Sequence, residues 1–225
     1  MMGSADPHRF RKTVAGVCML VAPALGLIGF IVSPGYDADA RDQLLTVVAN
    51  RDQWFVSELL ILLSLVALLP AILGLMHMLR EREVAFGHLG GALALVGTLA
   101  AVGSTAMGFV VWQMALTPEM VALINRVQDT TGTFVLFTLG VFCLTAGVLI
   151  LAMGLMRARA VHTASAGMLA VGAIVAVIGF AASAAWLLIV GYAAMLLGLG
   201  TIGQMVLNET VEDWEHTPTL AARAS

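Results

Sequence analysis

The chain has 225 residues, 60% of them hydrophobic and only 11% charged, with a formal net charge of −3. Soluble domains carry charged residues at roughly a quarter of their positions, so a water-soluble fold is excluded and lipid is the expected solvent. The few charges are spread over loops and tail and offer no basic surface for nucleic acid.

A helix that crosses the hydrocarbon needs about 20 apolar residues, and six such runs follow one another. Residues 1–12 form a basic N-terminal segment, and the first span runs from Thr13 to Ser33 around Pro23. A cleaved signal peptide over residues 1 to 40 competes with this reading, with Arg9 to Lys12 as its n-region and Ala38-Asp39-Ala40 near a cleavage site. The apolar run exceeds the usual h-region of about 7–15 residues, so a retained span is expected. Ala38 to Asn50 then carry Leu44, Leu45, Val47 and Val48 at helical spacing among charges, which predicts a short amphipathic surface helix.

The second span, Trp54 to Leu79, carries Glu58 near its start and Pro70 in its middle. Counting about 20 residues back from Leu79 puts the edge of the hydrocarbon near Leu59, so Glu58 is expected as a wetted rim carboxylate near Arg51 or Arg126. The third span, His88 to Ala115, brings Gln113 to similar depth. Glu58, Gln113 and Arg126 are therefore the candidate site at the outer rim. Thr117-Pro118-Glu119 reads as a helix start, and Met120, Leu123, Ile124 and Val127 predict a second amphipathic helix on the same face.

In the fourth span, Thr131 to Met156, Gly140, Gly147 and Gly154 recur every seven residues. Apolar side chains gain little by meeting one another inside lipid, so such a stripe predicts close helix packing. Ala15, Ala22 and Gly29, and likewise Ser57, Ser64 and Ala71, share the spacing. The apolar block from Ala164 to Leu207 is too long for one crossing, which predicts spans at Thr163 to Ala182 and Ala184 to Leu207. Residues 208–225 are an acidic tail, expected to be solvated.

The fold class is thus an all-α polytopic membrane bundle of six transmembrane helices, with two short amphipathic helices on its outer face. Similar endings at Ile72-Leu73-Gly74-Leu75-Met76, Ala152-Met153-Gly154-Leu155-Met156 and Leu196-Leu197-Gly198-Leu199 suggest three helical hairpins in parallel orientation. Arg9, Arg11, Lys12, Arg80, Arg82, Arg157 and Arg159 all fall on one side, which predicts that both termini are cytoplasmic. A bacterial cytoplasmic membrane is the expected location.

Pro23 and Pro70 fall about ten residues from the basic end of their helices, near the midplane, where a lost i−4 hydrogen bond makes them hinge candidates. No Asp, Glu, His, Lys or Arg occupies the middle of any span, which disfavours an ion-coupled carrier. Ser64, Thr98 and Thr145 are the polar residues at depth, each able to bond back to its own helix.

His77, His88 and His162 sit near the basic interface and call for no haem, and Met76 and Met78 lie about 200° apart around their helix, too far to close on one metal. Cys18 and Cys143 lie at different depths and are expected as packing residues. No cofactor, metal or familiar catalytic motif is expected, and an enzyme is disfavoured.

Ala22-Pro23-Ala24-Leu25-Gly26, Pro34-Gly35 and Pro70-Ala71-Ile72-Leu73-Gly74-Leu75, in this six-span layout, resemble bacterial integral membrane proteins grouped as a domain of unknown function. The resemblance implies the six-helix fold and brings no assigned activity. The leading expectation is a structural or regulatory membrane component that packs against a membrane protein partner or its own copy. Its alternative is a permease or binder for a small uncharged or lipid-like solute, gated by the Pro23/Pro70 hairpin. A cavity reaching the midplane favours the second, and a solid bundle the first.

Overall fold

A computed structural model describes residues 7–35, 40–114 and 131–216. Its helices are α1 (Pro7–Val32), α2 (Ala40–Ala49), α3 (Arg51–Leu79), α4 (Val84–Met114), α5 (Thr131–Ala158), α6 (Thr163–Ala181), α7 (Ala185–Asn208) and α8 (Val211–His216). Among the described residues, six helices (α1 and α3 to α7) are long and apolar enough to cross a membrane, and none is a strand. Lipid offers no hydrogen bonds to the main chain, so the helix, which satisfies its own, is the form these apolar runs take. The second amphipathic helix expected around Pro118 lies outside the described residues.

The most extensive contacts join α1 to α3, α4 to α5 and α6 to α7. These are three antiparallel hairpins in the same orientation. Between them α3 meets α4, α5 meets α6, and α7 closes on α1, so the spans form a ring whose least extensive seam is α5/α6.

Small residues set how closely each hairpin closes. Ser57 donates to the Gly29 carbonyl at 3.0 Å and Ser64 to that of Ala22 at 2.7 Å, so two seven-residue stripes meet across α1/α3. The expected back-bond of Ser64 is replaced by a bond between helices. Thr98 does bond back, to Ala94 at 2.7 Å.

In α4/α5 the backbones themselves touch. A β-carbon on Gly97 would stand 2.6 Å from Leu144 Cα, and one on Gly147 would stand 2.7 Å from Ala94 Cα. Gly140 abuts Ala101, and Gly154 abuts Phe86 and Leu79. The stripe of α5 is therefore filled from within the chain. Contact between the stripe and an outside partner finds no free surface there.

α5 and α6 end alike. Arg159 (φ 51°) and Ser183 (φ 49°) take the left-handed conformation, with Ala160 N–H donating to Leu155 O and Ala184 N–H to Gly179 O. These six-to-one bonds satisfy carbonyls at the helix ends and turn the chain within a few residues.

At the basic end the described part of the tail, as far as His216, docks instead of lying solvated. Trp214 of α8 is buried, and its ring stacks on His77 at 4.4 Å between centroids. The His77 Nε2–H donates to the Trp214 carbonyl at 2.9 Å while Arg80 donates to Nδ1 at 3.2 Å. Glu215 pairs with His8 at 2.8 Å and with Arg80 at 3.5 Å. Buried Lys12 donates to the Leu207 carbonyl at 3.3 Å and to that of Glu209, placing a cation on the negative end of α7. This end of the ring is closed by a clasp of α1, α3, α7 and α8.

The far end is roofed by α2. Leu44 and Val47 bury against Trp54, Val111, Trp112 and Met114, whereas Leu45 and Val48 stay exposed. The predicted apolar stripe is thus split between the bundle and the surroundings.

Candidate functional site

The ring is hollow. A cavity of about 390 Å³ lies among the six spans and reaches from Gln43 of α2 and Trp54 of α3 down to Leu75 and Leu199. It therefore passes the depth of Pro70 on its way toward the basic end.

Its far end is the polar end. Trp54 donates its indole N–H to the Gly108 carbonyl at 3.3 Å, and one turn later the Glu58 carboxylate packs against the same glycine. Glu58 is 4% exposed. The expectation of a wetted rim carboxylate is corrected here: α2 and Trp54 cover the end of α3, and Gly108 leaves the notch in which the carboxylate sits. A helical residue's depth can be counted along the sequence, but the side it faces is set by its neighbours.

The other two rim candidates do not join it. Gln113 is exposed and does not line the cavity, and Arg126 lies outside the described residues. Of the hinge candidates, Pro23 is buried and lines the cavity, while Pro70 does not line it, and both helices run unbroken through their prolines.

Below Glu58 the wall is aromatic, then aliphatic. Phe30 meets Tyr192 at 4.8 Å and Phe180 at 5.8 Å, and Phe180 meets Phe137 edge-on at 6.2 Å. Gly26 makes room for the Tyr192 ring, since a β-carbon there would collide with it and with Ser64 Oγ. Ser64 and Thr145 are polar points at middle depth, and Leu68, Ile72, Leu75, Val148, Leu169 and Leu199 line the rest.

Tyr192, Phe30 and Gln43 were not singled out from the sequence. A tyrosine inside a span of Leu, Ala and Gly was the available signal, because its hydroxyl needs a polar partner or space.

Phe137 lines the cavity and is also 46% exposed, and it stands at the α5/α6 seam. Among the described residues no group of three His, Cys, Asp or Glu converges as a metal site, and Cys18 and Cys143 are free thiols. What the arrangement can do chemically is surround an apolar body and hold a polar group at one end.

Comparison with protein-family models, with curated proteins and with solved structures finds no match. Fold and site together define a class: a multi-pass helical membrane protein with an internal, mostly apolar cavity.

Proposed function

We propose that this protein is a membrane-embedded binder or permease for a small uncharged or lipid-like solute, which it takes into the six-helix ring. The observation that carries the reading is the cavity, whose size falls in the roughly 300–1,000 Å³ range of ligand sites and whose walls are largely apolar. A component working only through packing needs no such space, and the glycine stripe that would mark its contact face is used within the chain.

On this reading exchange is lateral. The Phe137 and Phe180 rings stand between the cavity and the outside of the ring, so rotation of Phe137 opens the α5/α6 seam to solute dissolved in lipid. The clasp at the basic end keeps the opposite side shut. With basic residues held on the cytoplasmic side, as in a bacterial inner membrane, the polar end of the cavity faces outward.

Native mass spectrometry of the full chain extracted in its own lipid tests the reading. The parent protein is expected to retain an apolar small molecule that Thr145→Trp, which fills the cavity at middle depth, does not. A parent that retains none, or a co-purifying protein bound equally by both forms, contradicts it in favour of a packing component.

A further inference from the structure

The cavity is long for its volume. Along α3 its lining begins at Trp54 and ends at Leu75, a stretch that rises about 30 Å, the thickness of the hydrocarbon layer. A sphere of the same 390 Å³ would be only about 9 Å across, so this site is drawn out along the helices where a compact ligand pocket is not. We propose that the ring takes one linear hydrocarbon chain at a time, extended along the bundle axis, in preference to a fused-ring or two-chain lipid. The inference rests on the binding reading above and names the class of solute.

Chain geometry sets the length of the occupant. An extended carbon chain advances about 1.2 Å per bond, a third of the roughly 3.6 Å that three backbone bonds span, so a chain of about 18 carbons covers about 20 Å of the cavity. A rigid body of the same volume but equal width in every direction would leave most of the length empty. Apolar walls facing such a void lose their dispersion contacts on that side. A two-chain lipid needs the width of a second chain beside the first, and the volume is already taken up by length.

The walls favour the same occupant. Phe30 of α1, Tyr192 of α7, Phe180 of α6 and Phe137 of α5 touch in series, forming an arc of rings around the cavity. A ring that moves aside disturbs the next, so a wide rigid body meets more resistance here than a chain that can turn bond by bond. Two hydroxyls of the wall are already engaged, Ser64 with the Ala22 carbonyl at 2.7 Å and Ser104 with that of Ala100 at 3.2 Å, which leaves methylene and methyl groups as the main surface at depth. End-first entry at the α5/α6 seam then needs rotation of the Phe137 side chain and no separation of the helices.

A straight-chain alcohol of about 18 carbons with a photoreactive diazirine near each end tests this on the full chain in nanodiscs, with linked peptides identified by mass spectrometry. Doubly attached peptides are expected to join the Trp54 end of the cavity to the Leu75 and Leu199 end, whichever way the chain points, and to vanish in Thr145→Trp. An unlabelled straight-chain alcohol is expected to displace the probe at about one-tenth of the mole fraction that a fused four-ring alcohol needs, equivalent to about 1.4 kcal/mol. Links confined to one depth of the cavity overturn the extended posture, and equal competition by the two alcohols overturns the preference for a chain, while cavity binding stands in both cases. No cavity labelling in the parent, or labelling unchanged in Thr145→Trp, overturns the binding reading itself.

Discussion

The carboxylate of Glu58 and the backbone of Gly108 share one space: a β-carbon on the glycine would stand 2.6 Å from Glu58 Cδ and 2.7 Å from Oε2. The same glycine accepts the Trp54 indole N–H, so one residue of α4 positions two residues of α3. Gly108→Ala must therefore displace the carboxylate, at a cost of about 1–3 kcal/mol typical of overpacking. Because the clash has a single named partner, Gly108→Ala combined with Glu58→Ala is expected to recover a measurable part of that loss. Unfolding midpoints of the four proteins in one detergent check it, and simple additivity would contradict the contact.

Glycines elsewhere should divide by what they face. Gly97 lies against the backbone of Leu144, which cannot rotate away, so Gly97→Ala is expected to lose about 1–3 kcal/mol or to open the α4/α5 hairpin. Gly167 faces open space, and Gly167→Ala is expected to gain up to about 1 kcal/mol from helix propensity. Equilibrium unfolding of both variants side by side tests whether seam contact, not glycine content, holds the ring.

The clasp at the basic end predicts a pH dependence with a definite sign. Glu215 is held below its ordinary value of 4.5, first by the hydrogen bond with His8, which outweighs the opposing effect of burial, and then by the nearby charges of His8, Arg80 and His77. A depressed carboxylate stabilises the folded arrangement fully above its ordinary pKa and loses that contribution as pH falls through the lower folded value. Hydrogen exchange over 209–216, corrected for intrinsic rates, is expected to remain slow down to about pH 5 and to quicken below about pH 4. Glu215→Gln is expected to abolish the step.

Exchange through the α5/α6 seam should answer to one side chain. Phe137→Ala is expected to speed the loading of an apolar fluorescent probe from the bilayer, and Phe137→Trp to slow it, with little change in the amount bound at equilibrium. Stopped-flow mixing with probe-loaded vesicles separates the rate from the amount. Rates indifferent to both changes would move the route elsewhere.

The spans and their hairpin pairing were legible because long apolar runs, basic flanks and seven-residue stripes of small residues are periodic in the chain itself. The two serines of α3 illustrate the limit. Ser57 and Ser64 were visible as a stripe, yet their bonds to Gly29 and Ala22 depend on how α1 rotates, which no local pattern encodes. Glu58 failed in the same manner, since counting along its helix does not say what covers it, and it is buried. The closure of α7 on α1, with Gly203 set against the Gly16 carbonyl, joins residues nearly the whole chain apart, and the cavity exists only after that closure. The tail as far as His216 was misjudged because its acidity suggested water, whereas Trp214 stacks on His77 and Glu215 meets His8 and Arg80.

The central claim, that an apolar molecule occupies the ring, is tested most directly by thermal unfolding of the full chain in nanodiscs titrated with an uncharged single-chain alkyl alcohol. A ligand bound only to the folded state at about 100 times its Kd adds about 2.7 kcal/mol, so the parent's midpoint is expected to rise by several degrees and to saturate. Thr145→Trp, with its cavity filled, is expected to show no saturable rise. Equal shifts in the two proteins, or none in the parent, would contradict the account.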